Sequence, residues 1–149
     1  VEVLGDLGHN LSSEVWWSPS HPFSSSLTRQ SAREIAEGYT TETGRQWTQP
    51  IGFIHALFEL AADAMGRTSD TGDGDKIAEA VAASQINSVV GRIAFDGKGL
   101  PPFAATNVAK TPLVGGQWRL KSDGGYDLVI VENSDHSEIP TGGKMEAIV

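Results

Sequence analysis

Apolar positions change period along this chain, and the changes divide it into elements. Residues 14–18, Glu14-Val15-Trp16-Trp17-Ser18, precede Pro19 and predict a short strand running into a loop. The loop spans residues 19–28, where serine and proline dominate. Ser31-Ala32-Arg33-Glu34 has the form of a capping box, so a helix is expected from about Ala32. Ile35, Ala36 and Tyr39 share one face of it, and Gly44 supplies its stop.

The next helix has the clearest period. Pro50 suits a first-turn position, Ile54, Leu57, Phe58, Ala61 and Met65 fall on one face as its expected core stripe, and Gly66 ends it. After a glycine-and-aspartate loop at 70–75, Asp75 is the expected cap of a third helix carrying Ile77, Ala80, Val81 and Ser84. Val89, Gly91, Ile93 and Phe95 then alternate with Val90, Arg92, Ala94 and Asp96, which is the period of one strand. Residues 100–112 contain three prolines and read as an extended connector. Strands are expected at 113–120 and 126–133, joined through a Ser-Asp-Gly-Gly turn, and the last sixteen residues as a tail. The pattern is an α/β start with an antiparallel finish. It supplies too few strands for its helices, since a closed α/β domain covers a sheet of about four or more. The chain is therefore expected to be part of something larger.

Composition narrows the function. At 149 residues the chain amounts to one domain or a piece of a larger one, and 39% hydrophobic residues with 17 glycines argue against overall disorder. A net charge of −8 excludes nucleic acid as the main partner, because phosphate binding draws on Lys and Arg. Arg119 and Lys121, followed by Asp123, are expected on a solvated strand face. The apolar stretch 51–65 is broken by His55, Glu59 and Asp63 and is too short to span a bilayer. Val1 follows no charged-then-apolar leader, so any signal peptide is expected to have been removed or to lie outside this segment. Zero cysteines leave the compartment open.

No nucleophile elbow, phosphate loop or dinucleotide fingerprint occurs. Asp70, Asp73 and Asp75 miss the calcium-loop spacing, because position 3 is Gly72 and position 12 is Val81. His9, His21, His55 and His136 form no H-x-x-x-H pair, so no metal or other cofactor is expected. His55 has Glu59 one turn on, which an ordinary helix-surface hydrogen bond explains. Trp16 and Trp17 stand where a strand meets a loop, the place where α/β sheets bind ligands. Neighbouring strand residues face opposite ways, so one tryptophan is expected in a cleft and the other in the core.

Four segments together carry a resemblance. They are the helix from Ser31-Ala32 to Gly44, the run Trp47-Thr48-Gln49-Pro50-Ile51-Gly52-Phe53-Ile54-His55-Ala56-Leu57-Phe58-Glu59, the run Gly91-Arg92-Ile93-Ala94-Phe95-Asp96, and Asn107-Val108 through Val114-Gly115-Gly116-Gln117-Trp118. In this order they resemble the carboxy-terminal part of the branched-chain-amino-acid type of periplasmic substrate-binding proteins, the receptors of ABC importers. The resemblance implies an incomplete type I periplasmic-binding-protein-like α/β fold with Rossmann-like lobes and antiparallel carboxy-terminal strands. It also implies a division into residues 1–47 at the end of the second lobe, 48–105 as closing helices and strand of the first, and 106–149 as the return to the second.

A non-catalytic receptor that closes on an amino acid, aromatic acid or other small organic solute is the implied function, with a membrane permease as partner. The implied place is periplasmic or extracellular, at the membrane if the whole protein is a lipoprotein. Ligand contacts are expected at Trp16, Trp17, Ser18, His21, Gln49 and Phe53, with Trp17 in the site and Trp16 mainly structural. Two readings compete with it. One is a small α/β hydrolase or isomerase using His55 with Glu59 or Asp63 as acid and base. The other is a non-catalytic assembly piece that dimerises through an exposed sheet edge or pairs with a missing amino-terminal half.

Overall fold

The computed structural model describes residues 1–148; Val149, the last residue of the expected tail, lies outside the described residues. After a 3₁₀ segment at Glu2–Gly8, the elements are β1 (Ser12–Val15), α1 (Ala32–Thr43), α2 (Gln49–Arg67), α3 (Gly74–Ala82), β2 (Gln85–Ser88), β3 (Gly91–Ala94), β4 (Val114–Leu120) and β5 (Tyr126–Glu132). A three-stranded antiparallel sheet has the order β1-β4-β5, and β2-β3 is a separate hairpin. Every strand pair among the described residues is antiparallel. Helix and strand are mixed, and the carboxy-terminal strands β4 and β5 pair antiparallel.

The capping box forms as its sequence requires. Ser31 Oγ accepts the Glu34 N–H at 3.2 Å while Glu34 accepts the Ser31 N–H at 2.8 Å, and α1 ends at Gly44 in the left-handed region. In α2, Pro50 lies in the first turn as expected. The face it buries is not the expected one. Gly52, Ala56, Glu59 and Ala64 are buried, whereas Ile54, Leu57, Phe58 and Met65 are 55%, 64%, 65% and 46% exposed. The helix turns its small residues toward α1, α3 and β2, and Gly52 lets the indole of Trp17 lie against the backbone, where any Cβ would overlap the ring.

Three further expectations change. Asp73 rather than Asp75 caps α3, its Oδ1 accepting the Asp75 and Lys76 N–H groups. The predicted single strand at 89–96 is a hairpin: Val89 and Val90 form its turn, Gly91 follows at φ +98°, and Gln85–Ser88 supplies a strand the alternation did not show. The early strand ends at Val15, so Trp16 to Ser18 belong to the following loop.

Two apolar clusters hold the molecule. Val15, Val114, Leu128, Ile130 and Ile139 back the sheet, with Phe23, Trp47 and Trp118 at the margin. Trp17, Ala32 and Ala36 join Ala56, Ile86, Val89, Val90 and Ile93 under α2. The expected tail is docked. Ile139 is fully buried, Gln117 exchanges hydrogen bonds with the backbone of Glu146, and Arg119 reaches Asn10, the Lys144 carbonyl and Glu146. Arg119 is therefore a clamp on this segment and not a solvated face residue; its side chain is 16% exposed.

Candidate functional site

The loop after β1 is shaped by local bonds that its own residues supply. Ser18 donates its backbone N–H to Nδ1 of His21 at 3.0 Å, and its hydroxyl lies 3.0 Å from the same nitrogen. His21 returns its N–H to the Ser18 carbonyl at 3.1 Å, closing a tight turn in which both side chains are buried. Because a backbone N–H can only donate, Nδ1 is the acceptor and Nε2 carries the hydrogen of the neutral ring. That Nε2 and the Nε1 of Trp17 are buried without a partner among the described residues. Burial pushes the His21 pKa down to about 4, so the ring is neutral at ordinary pH.

Gln49 joins this loop to the start of α2. Its Oε1 accepts the N–H of Trp16 at 2.8 Å and of Trp17 at 3.4 Å, while Nε2 donates to the Glu14 carbonyl at 3.1 Å. Trp16 stands edge-on to Phe53, with ring centroids 5.1 Å apart, and both are half-buried. Trp17 is fully buried, edge-on to Trp47 at 5.9 Å. Trp17, expected in a cleft, packs in the core, and Trp16 is the one of the pair that solvent reaches. The strand ends at Val15, two residues before its apolar run does, and burial keeps the alternation past that end, with Val15 and Trp17 inward and Trp16 between them outward. The structure brings Trp16, Gln49 and Phe53 together at one surface and holds Trp17, Ser18 and His21 behind it.

The acid-base reading of α2 does not survive the geometry. His55 Nε2 lies 2.7 Å from the Ser25 hydroxyl, which also accepts the N–H groups of Leu27 and Thr28. Glu59 is buried and turned elsewhere, taking the hydroxyl of Ser26 at 2.9 Å and the Val89 N–H at 3.1 Å. It fastens the 23–28 loop and the hairpin turn to α2. Asp63 pairs with Arg67 at 2.6 Å and accepts from Ser84, bracing α2 against the end of α3, and the Arg67 guanidinium holds its carboxyl below the usual range. No carboxylate meets His55 among the described residues. Nor do three or more metal-ligating side chains converge there.

A cavity of about 470 Å³, with none of the six expected residues in its wall, lies between the β2-β3 hairpin, the connector and the turn after β5, and its wall residue Phe23 stands 6.0 Å from the His21 ring. Phe23, Arg92, Lys110 and His136 are among its walls. They come from segments far apart in sequence, and no spacing rule relates them, so only the folded chain brings them together. A smaller apolar groove of about 160 Å³ beside α2 is lined by Phe53, Leu57, Leu60, Phe95 and Ala109. No helix of the described residues is long and apolar enough to cross a membrane.

Neither a family model nor a curated protein matches the sequence. Solved structures do. The chain is similar to a leucine-binding protein, LivK, from Thermotoga maritima, with TM-score 0.59 and 20% identity over 86% of this chain and 32% of that one. It is similar to an ABC transporter substrate-binding protein from Sphaerobacter thermophilus, with TM-score 0.60 and 14% identity over 88% of this chain and 33% of that one. A substrate-binding protein from Desulfitobacterium hafniense in complex with Leu matches with TM-score 0.54 and 20% identity over 82% and 32%. The chain spans about a third of the length of the structures it matches.

Proposed function

We propose that this chain is the carboxy-terminal part of a solute-binding receptor for an ABC-type importer, acting outside the cytoplasmic membrane and handing its solute to a membrane permease. The observation that carries this is the exposed stripe Ile54, Leu57, Phe58 and Met65 on a helix whose other face is already packed. An apolar face of this kind calls for cover. The likeness to about a third of each substrate-binding protein supports a remaining portion that would supply it. On this reading residues 1–47 and 106–149 belong to the second lobe and 48–105 to the first.

Ligand capture on this reading is binding-driven closure: a solute touching both lobes favours the closed state by its differential affinity for it. Trp16, Phe53 and Gln49 are the contacts this chain offers, with Trp17, Ser18 and His21 as their backing. Amino acids and aromatic or other small organic acids are the proposed solute class, and the leucine-bound neighbour supports the first of these. The test is calorimetric titration of the complete receptor with leucine, phenylalanine and benzoate. Trp16→Ala should weaken the solute that binds by about 1–3 kcal/mol, the scale of an aromatic contact. An unchanged dissociation constant removes Trp16 from the site, and a receptor that binds none of the panel overturns the solute class.

A further inference from the structure

We propose that the loop from Phe23 to Gln30 is a pH-sensitive latch, held shut through the neutral ring of His55 and released when that ring takes a proton. His55 is half-buried on α2 and reaches the loop through a hydrogen bond, its Nε2 lying 2.7 Å from the Ser25 hydroxyl. Imidazole is the side chain whose charge ordinarily changes between pH 5 and 8. All groups of the latch lie in this chain, so it stands apart from the receptor reading.

Hydrogen-bond counting fixes the direction of that bond. Ser25 is 2% exposed, and its oxygen already accepts the backbone N–H groups of Leu27 at 3.1 Å and Thr28 at 3.0 Å. A hydroxyl has two lone pairs and one hydrogen, and a backbone N–H can only donate. Both lone pairs are therefore taken, the hydroxyl hydrogen goes to His55, and Nε2 is the acceptor of a ring that carries its own hydrogen on Nδ1. A protonated ring carries hydrogen on both nitrogens. Its Nε2–H would meet an oxygen with no lone pair to give, and the Ser25 hydroxyl would lose its acceptor. A buried hydroxyl without a partner is costly, and while the half-buried ring can turn out to water, Ser25 reaches water only if the loop opens.

The loop is built to respond. Arg29 sits in the left-handed region at φ +67°, which a side chain disfavours, and Ser25 holds it there: the Arg29 N–H meets the Ser25 carbonyl at 3.0 Å, and the Ser25 N–H meets the Gln30 carbonyl at 2.8 Å. Freeing Ser25 lets this turn relax. Glu59, one turn from His55 on α2, limits the movement. Its carboxylate faces the Ser26 hydroxyl at 2.9 Å and the Val89 N–H at 3.1 Å, and so tethers the loop to α2 and the hairpin. The other charged groups of the surrounding elements are engaged or turned outward. Asp63 of α2 pairs with Arg67, Glu34 of α1 closes the capping box with Ser31, Arg92 of the hairpin pairs with Asp96, and Arg29 and Arg33 are exposed. None forms an ion pair with His55 among the described residues. Phe23 and Ser24, at the start of the loop, belong to the wall of the 470 Å³ cavity, so the charge of His55 is coupled to the shape of that wall.

The experiment is amide exchange with solvent, measured by NMR on the isotope-labelled chain, as it stands, at pH 7.5 and pH 5.5. With its pKa pushed down to about 4, the folded His21 ring stays neutral at both and does not contribute. Protection of the Leu27 and Thr28 amides should fall by about tenfold at pH 5.5, while that of the Trp16 and Trp118 amides, bonded to Gln49 and Leu11, should change by less than about threefold. His55→Gln offers Ser25 an acceptor that does not titrate, and should abolish the difference. In the parent chain at pH 7.5, the ring nitrogen shifts should place the hydrogen of His55 on Nδ1, a reading that needs no variant. The proposal is overturned if Leu27 and Thr28 are equally protected at both pH values, if Trp16 and Trp118 lose as much, if His55→Gln keeps the difference, or if the ring hydrogen is found on Nε2.

Discussion

Two neighbouring tryptophans show how differently adjacent positions just past a strand end are used. Trp16 and Trp17 are chemically alike, yet one is half-exposed and the other is fully buried against Gly52 and Trp47. Trp17→Ala should cost about 3–5 kcal/mol in urea unfolding, the range for removing a buried aromatic side chain. Trp16→Ala should cost much less. His21 makes a different kind of prediction. Its folded pKa of about 4 lies below the ordinary 6.5 of a free imidazole, so the unfolded chain binds the extra proton. Its contribution is fully present above about pH 6.5 and is lost as pH falls from there toward 4, by up to about 3 kcal/mol. Unfolding curves at pH 7 and pH 5 should show this loss, and His21→Gln should flatten it. Asp63 and Asp96, whose folded pKa values are also lowered, lose their contributions only in more acid solution, as pH falls through the carboxylate range.

At the scale of elements, local rules were legible and the direction of burial was not. The Ser31 capping box, the Gly44 stop and Pro50 in the first turn of α2 are set by contacts within a few residues, and all three are found as expected. The stripe on α2 was legible as apolar, but periodicity does not say which apolar face meets this chain. Here Gly52, Ala56 and Ala64 pack, because small side chains allow close approach to α1, α3 and β2. Phe58→Glu, at a position 65% exposed, should therefore leave the stability of this chain within about 0.5 kcal/mol. In the complete receptor proposed above the same change should destabilise by about 2 kcal/mol or more, through a buried unpaired charge. Equal effects in both would mean that nothing covers the stripe. The hairpin was missed because its strands have four residues each and Gly91 falls inside the alternation.

The whole molecule depends on its last residues more than their composition suggests. Residues 134–148 read as a tail because they are polar and rich in turn formers, yet Ile139 is fully buried beneath the sheet and Gly142 donates to the Ile130 carbonyl. Glu146 and Lys144 accept from Gln117 and Arg119 on β4, so the segment is stitched across the sheet by side chains that no short-range rule relates to it. Ending the chain after Asn133 should cost at least about 2 kcal/mol for the lost isoleucine alone, visible as a lower urea midpoint. The candidate site follows the same division. Trp16 was legible from the end of a strand and Gln49 and Phe53 through the resemblance, whereas the walls of the 470 Å³ cavity, Phe23 and Lys110 among them, come together only through the fold.

Gln49 has one more consequence. Its side-chain amide takes the Trp16 N–H and gives to the Glu14 carbonyl, the two groups that a further strand beside β1 would use. An amide is chemically a peptide group, so the sheet ends here in an imitation of its next neighbour, borrowed from a helix. A second chain adding itself to this border would have to evict that imitation, and the border is sealed by the same residue that sets the entry of α2.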